Sequence, residues 1–317
     1  MSRVGDTRLS ELDRRIVAAL QVNGRASWRG IADALDESFS TVTRRGNALL
    51  YSGEIRVVTV VVGHASHLLY IDAEPAQTRA VADAIAEDPN TVFVYELGGS
   101  PNVVAEISMD EGDLAEFTHR VSVTLGGVRS VRVAPILKYF LTTAGWRPPI
   151  LTDAQVDALD PRLPDEWTAG PVDVAGIDAE IVKILAQDGR SPINVIAEVT
   201  GLSESTARRR VEALFASGVL RTRVVVEPAR LGLPVEALLW IGANPAAVAD
   251  IGEAVAAVPG VRYVASVMGS AQLVVNVTLR SFDELQKMLT RPDWVARVSS
   301  LQSELVLAAY KRSRTRI

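Results

Sequence analysis

Two stretches carry small hydroxyls and arginines in the same arrangement. Ser38 to Leu49 reads SFSTVTRRGNAL and Ser203 to Leu214 reads SESTARRRVEAL. Ser38, Ser40 and Thr41 precede Arg44 and Arg45, and Ser203, Ser205 and Thr206 precede Arg208, Arg209 and Arg210. On a helix, hydroxyls at the N-terminus bond phosphate oxygens, as do the free N–H groups there. Arginines one turn further along reach phosphates or a guanine edge in the major groove. The alternative for either stretch alone is a packed helix with a solvated basic face. The repetition favours polyanion binding by these eleven residues, Ser38, Ser40, Thr41, Arg44, Arg45, Ser203, Ser205, Thr206, Arg208, Arg209 and Arg210.

The second stretch is the first shifted by 165, and the shift holds upstream. Asp13, Ile16, Leu20, Gly24, Arg25, Ile31 and Ala32 become Asp178, Ile181, Leu185, Gly189, Arg190, Ile196 and Ala197, and Gly53 becomes Gly218. A fixed offset without gaps is a duplication, so the chain is two copies of one unit.

The elements that hold these residues read the same way in both copies. Ser10 and Asp13 have capping-box form, Leu12, Ile16, Val17 and Leu20 keep helical spacing, and Gly24 is a stop. Ser27 caps a second helix; its counterpart, Ser191-Pro192, places proline at the first helical position. Ser38 and Ser203 cap a third helix after a tight turn, with Val42, Gly46 and Leu49, or Ala207, Val211 and Leu214, facing inward. A helix-interior glycine costs ~1 kcal/mol against alanine, so Gly46 marks either a close approach to the helix or a weaker helix in copy one. Three short helices with a tight turn before the last form a (winged) helix-turn-helix pattern.

Downstream, VVTVVVG and TRVVVEP are strands by their β-branched density. Leu68 to Ala73, Thr91 to Leu97, Asn102 to Ser108 and Val128 to Tyr139 are further strands, with helices at Pro75 to Glu87 and Asp113 to Thr124. The order βαββαβ is a ferredoxin-like split motif. Copy two repeats it at an offset of 170, as Pro75, Pro89, Gly99 and Ser100 become Pro245, Pro259, Gly269 and Ser270. The expected fold is therefore α+β, a tandem duplication of a helix-turn-helix and a βαββαβ domain. The expected boundaries are 1–56 and 57–141 for copy one, a Pro-rich linker at 142–176, 177–221 and 222–310 for copy two, and a basic tail at 311–317. In the linker only Thr152 to Leu159 looks helical, and Trp146 and Trp167 suggest packing against a domain. The tail reads as a solvated end or as added phosphate contacts.

Composition narrows the function classes. The 317 residues are 48% apolar and 22% charged, ordinary for a globular protein of two or more domains. Without cysteine there are no disulfides, thiolate metal sites or cysteine nucleophiles. The start is polar, so no signal peptide is expected, and no apolar run is long enough to span a membrane; the cytoplasm is the expected location. The net charge is −5, but residues 1–60 hold nine Arg against seven Asp and Glu, and affinity for a polyanion follows the local field. No nucleophile-elbow, zinc-protease, phosphate-loop or dinucleotide motif is present, and the reading is not an enzyme, with no cofactor and no metal. His64 and His67 form at most a metal pair; such loop histidines are more often solvated.

The combination resembles the leucine-responsive/asparagine-synthesis (Lrp/AsnC) family of transcription regulators. The likeness rests on Leu12-Asp13-Arg14-Arg15-Ile16, Gly24-Arg25, Ile31-Ala32, the Ser38 and Arg44-Arg45 stretch and Gly53-Glu54-Ile55, with their counterparts in copy two. It implies sequence-specific binding of double-stranded DNA by a dimer, association on the nucleoid, and an α/β unit, called RAM, that carries the oligomer interface and an effector site. Here the two copies of one chain pair as a pseudo-dimer, and whole chains associate further through the RAM units. The effector loops of the family correspond to Gly99, Ser100 and Asn102, and to Gly269, Ser270 and Gln272. An amide stands where the family has an acid, and an amide does not balance an ammonium charge as a carboxylate does. A small polar or amino-acid-like effector, or none, fits these loops. Two other classes stay open. Siroheme decarboxylases share this fold but depend on histidines, of which this chain has three, all in copy one. A regulator acting through protein contacts without DNA is the other.

Overall fold

The computed structural model describes residues 8–61, 65–162 and 174–316. In chain order, the first copy has helices α1 (Glu11–Val22), α2 (Trp28–Leu35) and α3 (Phe39–Tyr51), then β1 (Arg56–Val61), β2 (Ser66–Ala73), α4 (Thr78–Glu87), β3 (Thr91–Leu97), β4 (Val103–Ser108), α5 (Glu111–Thr124) and β5 (Val128–Leu141). A short helix α6 (Asp153–Leu159) follows. The second copy has α7 (Ile177–Gln187), α8 (Ile193–Thr200), α9 (Glu204–Ala216), β6 (Leu220–Val225), β7 (Val235–Gly242), α10 (Val248–Ala256), β8 (Val261–Val267), β9 (Leu273–Leu279), α11 (Phe282–Thr290), β10 (Ser300–Arg312) and the two-residue β11 (Thr315–Arg316). None of the described helices is long and apolar enough to cross a membrane.

The chain divides into two units, and each takes its halves from both copies. The first, Met1–Gly63 with Ala144–Gly232, holds the two three-helix bundles. The caps form as their sequence requires. Ser10, Ser27, Ser38 and Ser203 each accept a backbone N–H three residues on, which satisfies a donor the helix leaves free. Copy two departs at its second helix, where Pro192 is itself the N-cap and Ser191 is buried. The tight turns need a left-handed residue, supplied by Asp36 (φ 53°) in copy one and Gly201 (φ 69°) in copy two. Ile16, Leu20, Ile31, Leu35 and Val42 make the first small core and Ile181, Leu185, Ile196, Ala207 and Val211 the second.

The bundles are joined reciprocally. Strands β1 and β6 pair antiparallel, and Val58 lies opposite Arg223, its own counterpart at +165. Arg25 donates to the Gly189 carbonyl at 2.6 Å, and Arg190 donates to the Gly24 carbonyl at 2.7 Å. Burial pulls both guanidinium pKa values down, the charge of Arg25 adds to this at Arg190, and the Asp188 carboxylate opposes it only in part. The first part of the linker docks on the same unit. Thr152 and Gln155 form a capping box on α6, Asn23 donates to the Leu159 carbonyl, and Trp146 is buried. Trp167 lies outside the described residues.

The second unit, His64–Thr143 with Leu233–Ile317, is built on strands. Copy one lays them out as β5-β2-β4-β3 and copy two as β10-β7-β9-β8, the antiparallel order of a split βαββαβ motif. The last strand of each is long and serves both copies. Residues up to Pro135 of β5 pair with β2, and Ile136 to Leu141 pair with β8. Ser300 to Leu305 of β10 pair with β7, and Val306 to Lys311 pair with β3. The strands thereby close into a ring, in which each half of β5 pairs with one neighbour, while β11 extends β10 outside it. Period-two alternation divides the side chains. Leu68, Tyr70, Tyr95, Trp240 and Tyr263 fill the ring, while Leu69, Ile71 and Val94 pack under α4 and α5. A third core packs Val264, Val275 and Val277 against α10 and α11.

The C-terminal segment is not a solvated tail. Lys311 and Arg312 lie in β10 at 4% and 2% exposure, and Arg316 bonds Asp83 and Glu87 of α4. Four cations in seven residues read as solvent-seeking, but carboxylates of distant segments hold Arg312 and Arg316, and the Asp88 and Pro89 carbonyls accept from Lys311 and Arg314.

Candidate nucleic-acid interface

The face opposite the buried stripe of α3 carries Ser38, Ser40 and Arg44 exposed, with Thr41 and Arg45 half-buried. On α9 the same face carries Ser203, Ser205, Arg208 and Arg209 exposed, with Thr206 and Arg210 half-buried. At each helix start the hydroxyls form one cluster. Ser38 donates to Thr41 Oγ1 at 2.7 Å and Ser203 to Thr206 Oγ1 at 2.9 Å. Ser38 and Ser203 thus hold the helix start, and Ser40 and Ser205 are the outermost hydroxyls.

The arginines divide into two kinds that the sequence does not distinguish. Arg45 grips Asp13 of α1 through Nε–Oδ1 at 2.7 Å and Nη2–Oδ2 at 2.6 Å, and also donates to Ser10. Arg210 bonds Asp178 of α7 at 2.9 Å. Burial raises the Asp13 pKa, but the bonds from Arg45 and Ser10 outweigh it and leave that carboxyl below its usual range. Arg45 and Arg210 therefore tie the third helix to the first. Among the described residues Arg44, Arg208 and Arg209 have no ion-pair partner. They are the cations available to a phosphate.

Two further residues belong to this face and were not singled out by the repeat. Arg29 stacks its guanidinium over Phe39 at 4.7 Å, and both are exposed. Their counterparts at +165 are Asn194 and Glu204. Copy one thus presents a cation and an aromatic ring where copy two presents an amide and a carboxylate, which lies in the first turn of α9. Because the repeat reading looked for identity between copies, it passed over positions whose information is their difference.

Gly46 is explained by a close approach. A Cβ there would collide with the Trp28 ring, which packs over it and stacks against Arg190 of the other copy at 4.5 Å. Gly46→Val, which installs the copy-two residue, is expected to destabilise this unit by about 1–3 kcal/mol through overpacking. Thermal melting monitored by Trp fluorescence checks this; an unchanged melt would mean that the ring moves aside freely.

The loops compared with an effector site lie in the strand unit. Asn102 accepts the Ala73 N–H at 2.8 Å and donates to the Ala73 carbonyl at 2.8 Å. Gln272 accepts the Ala243 N–H at 2.9 Å and donates to the Gly269 carbonyl at 3.3 Å. Ala73 and Ala243 are counterparts at +170, so both amides do the same work. The two amides bond the backbone and shape the loops. Ser100 donates to Asp72, and Ser270 is exposed. Gly99 lies under the Glu304 carboxylate and Gly269 near Arg132. Of the histidines, His67 is buried on β2, His119 is exposed on α5, and His64 of the conjectured metal pair lies outside the described residues. No cluster of acids and histidines suited to a metal ion occurs among the described residues.

Comparison with known proteins agrees with this geometry. The model of the AsnC-type helix-turn-helix domain matches residues 9–50 and again 176–214, and the Lrp/AsnC ligand binding domain matches 236–316. The HTH-type transcriptional regulator FL11 of Pyrococcus horikoshii is 28% identical over 138 residues, covering 43% of this chain and 91% of that protein. An HTH-type transcriptional regulator of Pyrococcus abyssi is 30% identical over 128 residues, covering 40% of this chain and 80% of that protein. The crystal structure of the siroheme decarboxylase NirDL superposes with a TM-score of 0.62 over 97% of this chain and 94% of that one; at 14% identity it shows a shared tandem fold alone. Less than half of this chain spans 91% of the one regulator and 80% of the other, and the chain belongs to the Lrp/AsnC family of transcription regulators, carrying two helix-turn-helix copies in one polypeptide.

Proposed function

We propose that the protein binds double-stranded DNA in a sequence-specific manner, with α3 and α9 each entering a major groove and the two copies acting as a pseudo-dimer. The observation that carries this reading is the placement of Arg44 and of Arg208 with Arg209. They are unpaired cations on the outer face of two capped helices, in units that the Arg25 and Arg190 bonds hold together. Ser40 and Ser205 contact phosphates beside them. The recognition helices differ, so the preferred site is an imperfect palindrome with non-identical arms, about one helical turn or a multiple of it apart.

The regulator names of the relatives favour this reading over catalysis, and the chain works in the cytoplasm on the nucleoid. The RAM loops around Gly99 and Gly269 receive a small polar effector, and whole chains associate further through the RAM units. Selection from randomised duplexes tests the central point. Two unequal arms are expected. A perfectly symmetric consensus would contradict a reading of non-identical arms by the two unlike recognition helices. A complex insensitive to salt would instead indicate action through protein contacts, since phosphate contacts make affinity fall steeply with salt.

A further inference from the structure

The strand unit contains an open cavity of about 410 Å³ whose lining includes Ser100, Pro101, Arg132, Trp240, Ser270 and Glu304. Ser100 and Ser270 are counterparts at +170, as are Pro101 and Ala271, and Arg132 and Gln302, which also line it. A cavity walled by both members of such pairs straddles the pseudo-twofold axis. In a symmetric homodimer every wall residue on such an axis appears twice. Here the charges appear once.

The counterpart of Arg132 is Gln302, and the counterpart of Glu304 is Ala134. The Glu304 carboxylate rests on Gly99, so closely that a Cβ there would collide with it. Arg132 Nη1 lies 3.7 Å from where a Cβ of Gly269 would stand. Gly99 and Gly269 are themselves counterparts, so a carboxylate from β10 and a cation from β5 stand against otherwise equivalent loops. Arg132 is held in place by stacking on the Tyr70 ring at 4.1 Å. Among the described residues neither Arg132 nor Glu304 has an ion-pair partner. The buried Trp240 supplies an apolar wall between polar rims, and the volume falls within the range of small-molecule sites.

We propose that this axial cavity binds one linear zwitterion per chain, its carboxylate on Arg132, its ammonium on Glu304 and its alkyl middle along Trp240. The proposal rests on the reading of the Gly99 and Gly269 loops as effector loops, and it gives them a ligand class, an orientation and a stoichiometry. A monopolar ligand meets one favourable pole and one unfavourable pole. A zwitterion with its charges at opposite ends satisfies both, and it binds in one direction because the poles are not exchanged by the pseudo-symmetry.

Calorimetric titration of the full chain with ε-aminocaproate tests this, with γ-aminobutyrate, hexanoate and hexylamine as comparisons. One site per chain is expected, with ε-aminocaproate binding about tenfold more tightly than hexanoate or hexylamine, the scale of one added charge-assisted contact. Arg132→Gln and Glu304→Ala each install the counterpart residue and make the wall symmetric in that charge. Each is expected to weaken ε-aminocaproate about tenfold. Two sites per chain, equal affinity for the zwitterion and the monopolar ligands, no binding of the zwitterion, or full affinity in both variants would overturn the proposal. Should a variant fail to fold, the comparison among ligands on the unaltered chain still decides. Capture of genomic DNA on the same preparations reads the regulator assignment separately. Captured sites without zwitterion binding overturn the axial site alone, and zwitterion binding without captured sites leaves that site standing and overturns the DNA reading.

Discussion

Arg44→Ala combined with Arg209→Ala is expected to lower affinity for the preferred DNA site about a hundredfold and to reduce the slope of log K against log salt by about two. Both guanidinium groups are exposed and unpaired among the described residues, so their removal costs the fold little and the complex two phosphate or base-edge contacts. The neighbouring pair behaves differently. Arg45→Ala with Arg210→Ala breaks the ties to Asp13 and Asp178 and is expected to cost each bundle about 1 kcal/mol, as half-exposed ion pairs do. The salt slope changes far less in that variant. Filter binding at several salt concentrations, with a melt of each variant, separates the two outcomes. Equal losses of slope would mean that Arg45 leaves Asp13 when DNA arrives. No loss in the Arg44 and Arg209 variant would remove the basis for placing these helices in the groove.

Glu236→Ala is expected to destabilise the strand unit by about 3–5 kcal/mol, the cost of leaving a buried guanidinium without its counter-charge. Glu236 and Arg312 are 7% and 2% exposed and meet through two bonds, of 2.9 Å and 2.6 Å. Asn276 donates to the same carboxylate at 3.1 Å, and Arg312 also donates to Tyr95. Replacing Glu236 and Arg312 together by methionine is expected to recover only part of the loss, because Arg262, 2% exposed and 3.9 Å from the same carboxylate, then loses that counter-charge. Deletion of residues 311–317 removes Arg312 and acts on stability in the same way. Acid adds a second signature. Burial alone would raise the Glu236 pKa, but Arg312, Arg262 and Asn276 outweigh it and hold the carboxyl below its ordinary 4.5. A depressed folded pKa contributes stability that is complete above the unfolded value and is lost as pH falls through the folded one. The gap between the unaltered chain and Glu236→Ala is therefore expected to narrow in acid below about pH 4.5. Urea unfolding across that range measures it, and a gap that widened instead would contradict the sign.

What was legible in the sequence is what local pattern determines. Serine caps and apolar spacing of three and four gave the helices, β-branched runs gave the strands, and the offsets of 165 and 170 gave the duplication. Partner choice lay beyond that reach. Nothing in the run from Val128 to Leu141 tells that its second half leaves β2 for β8, because both halves have the composition of one strand. Asp13 and Arg45 are separated by the helix α2 and the turns on either side of it, so Arg45 looked like its neighbour Arg44. Arg25 and Arg190 served as marks of resemblance, whereas their work is to lock one bundle to the other. Arg312 looked solvated because its carboxylate arrives from a strand 76 residues upstream. The amides Asn102 and Gln272 were placed in the right loops, but the backbone they bind is contributed by strand ends, which local pattern does not bring together.

The exchange of β5 and β10 between the copies has a consequence for gene dosage. A regulator assembled from separate chains loses its two-armed form on dilution, and the concentration of dimer falls with the square of the concentration of chain. Here each copy finds its partner on the same polypeptide, at an effective concentration on the order of millimolar, and interleaved strands oppose separation. The paired form therefore does not depend on the concentration of chain. For the proposed DNA reading this predicts that occupancy of a site rises in first order with the number of chains, where a regulator assembled from two separate chains would show a second-order rise.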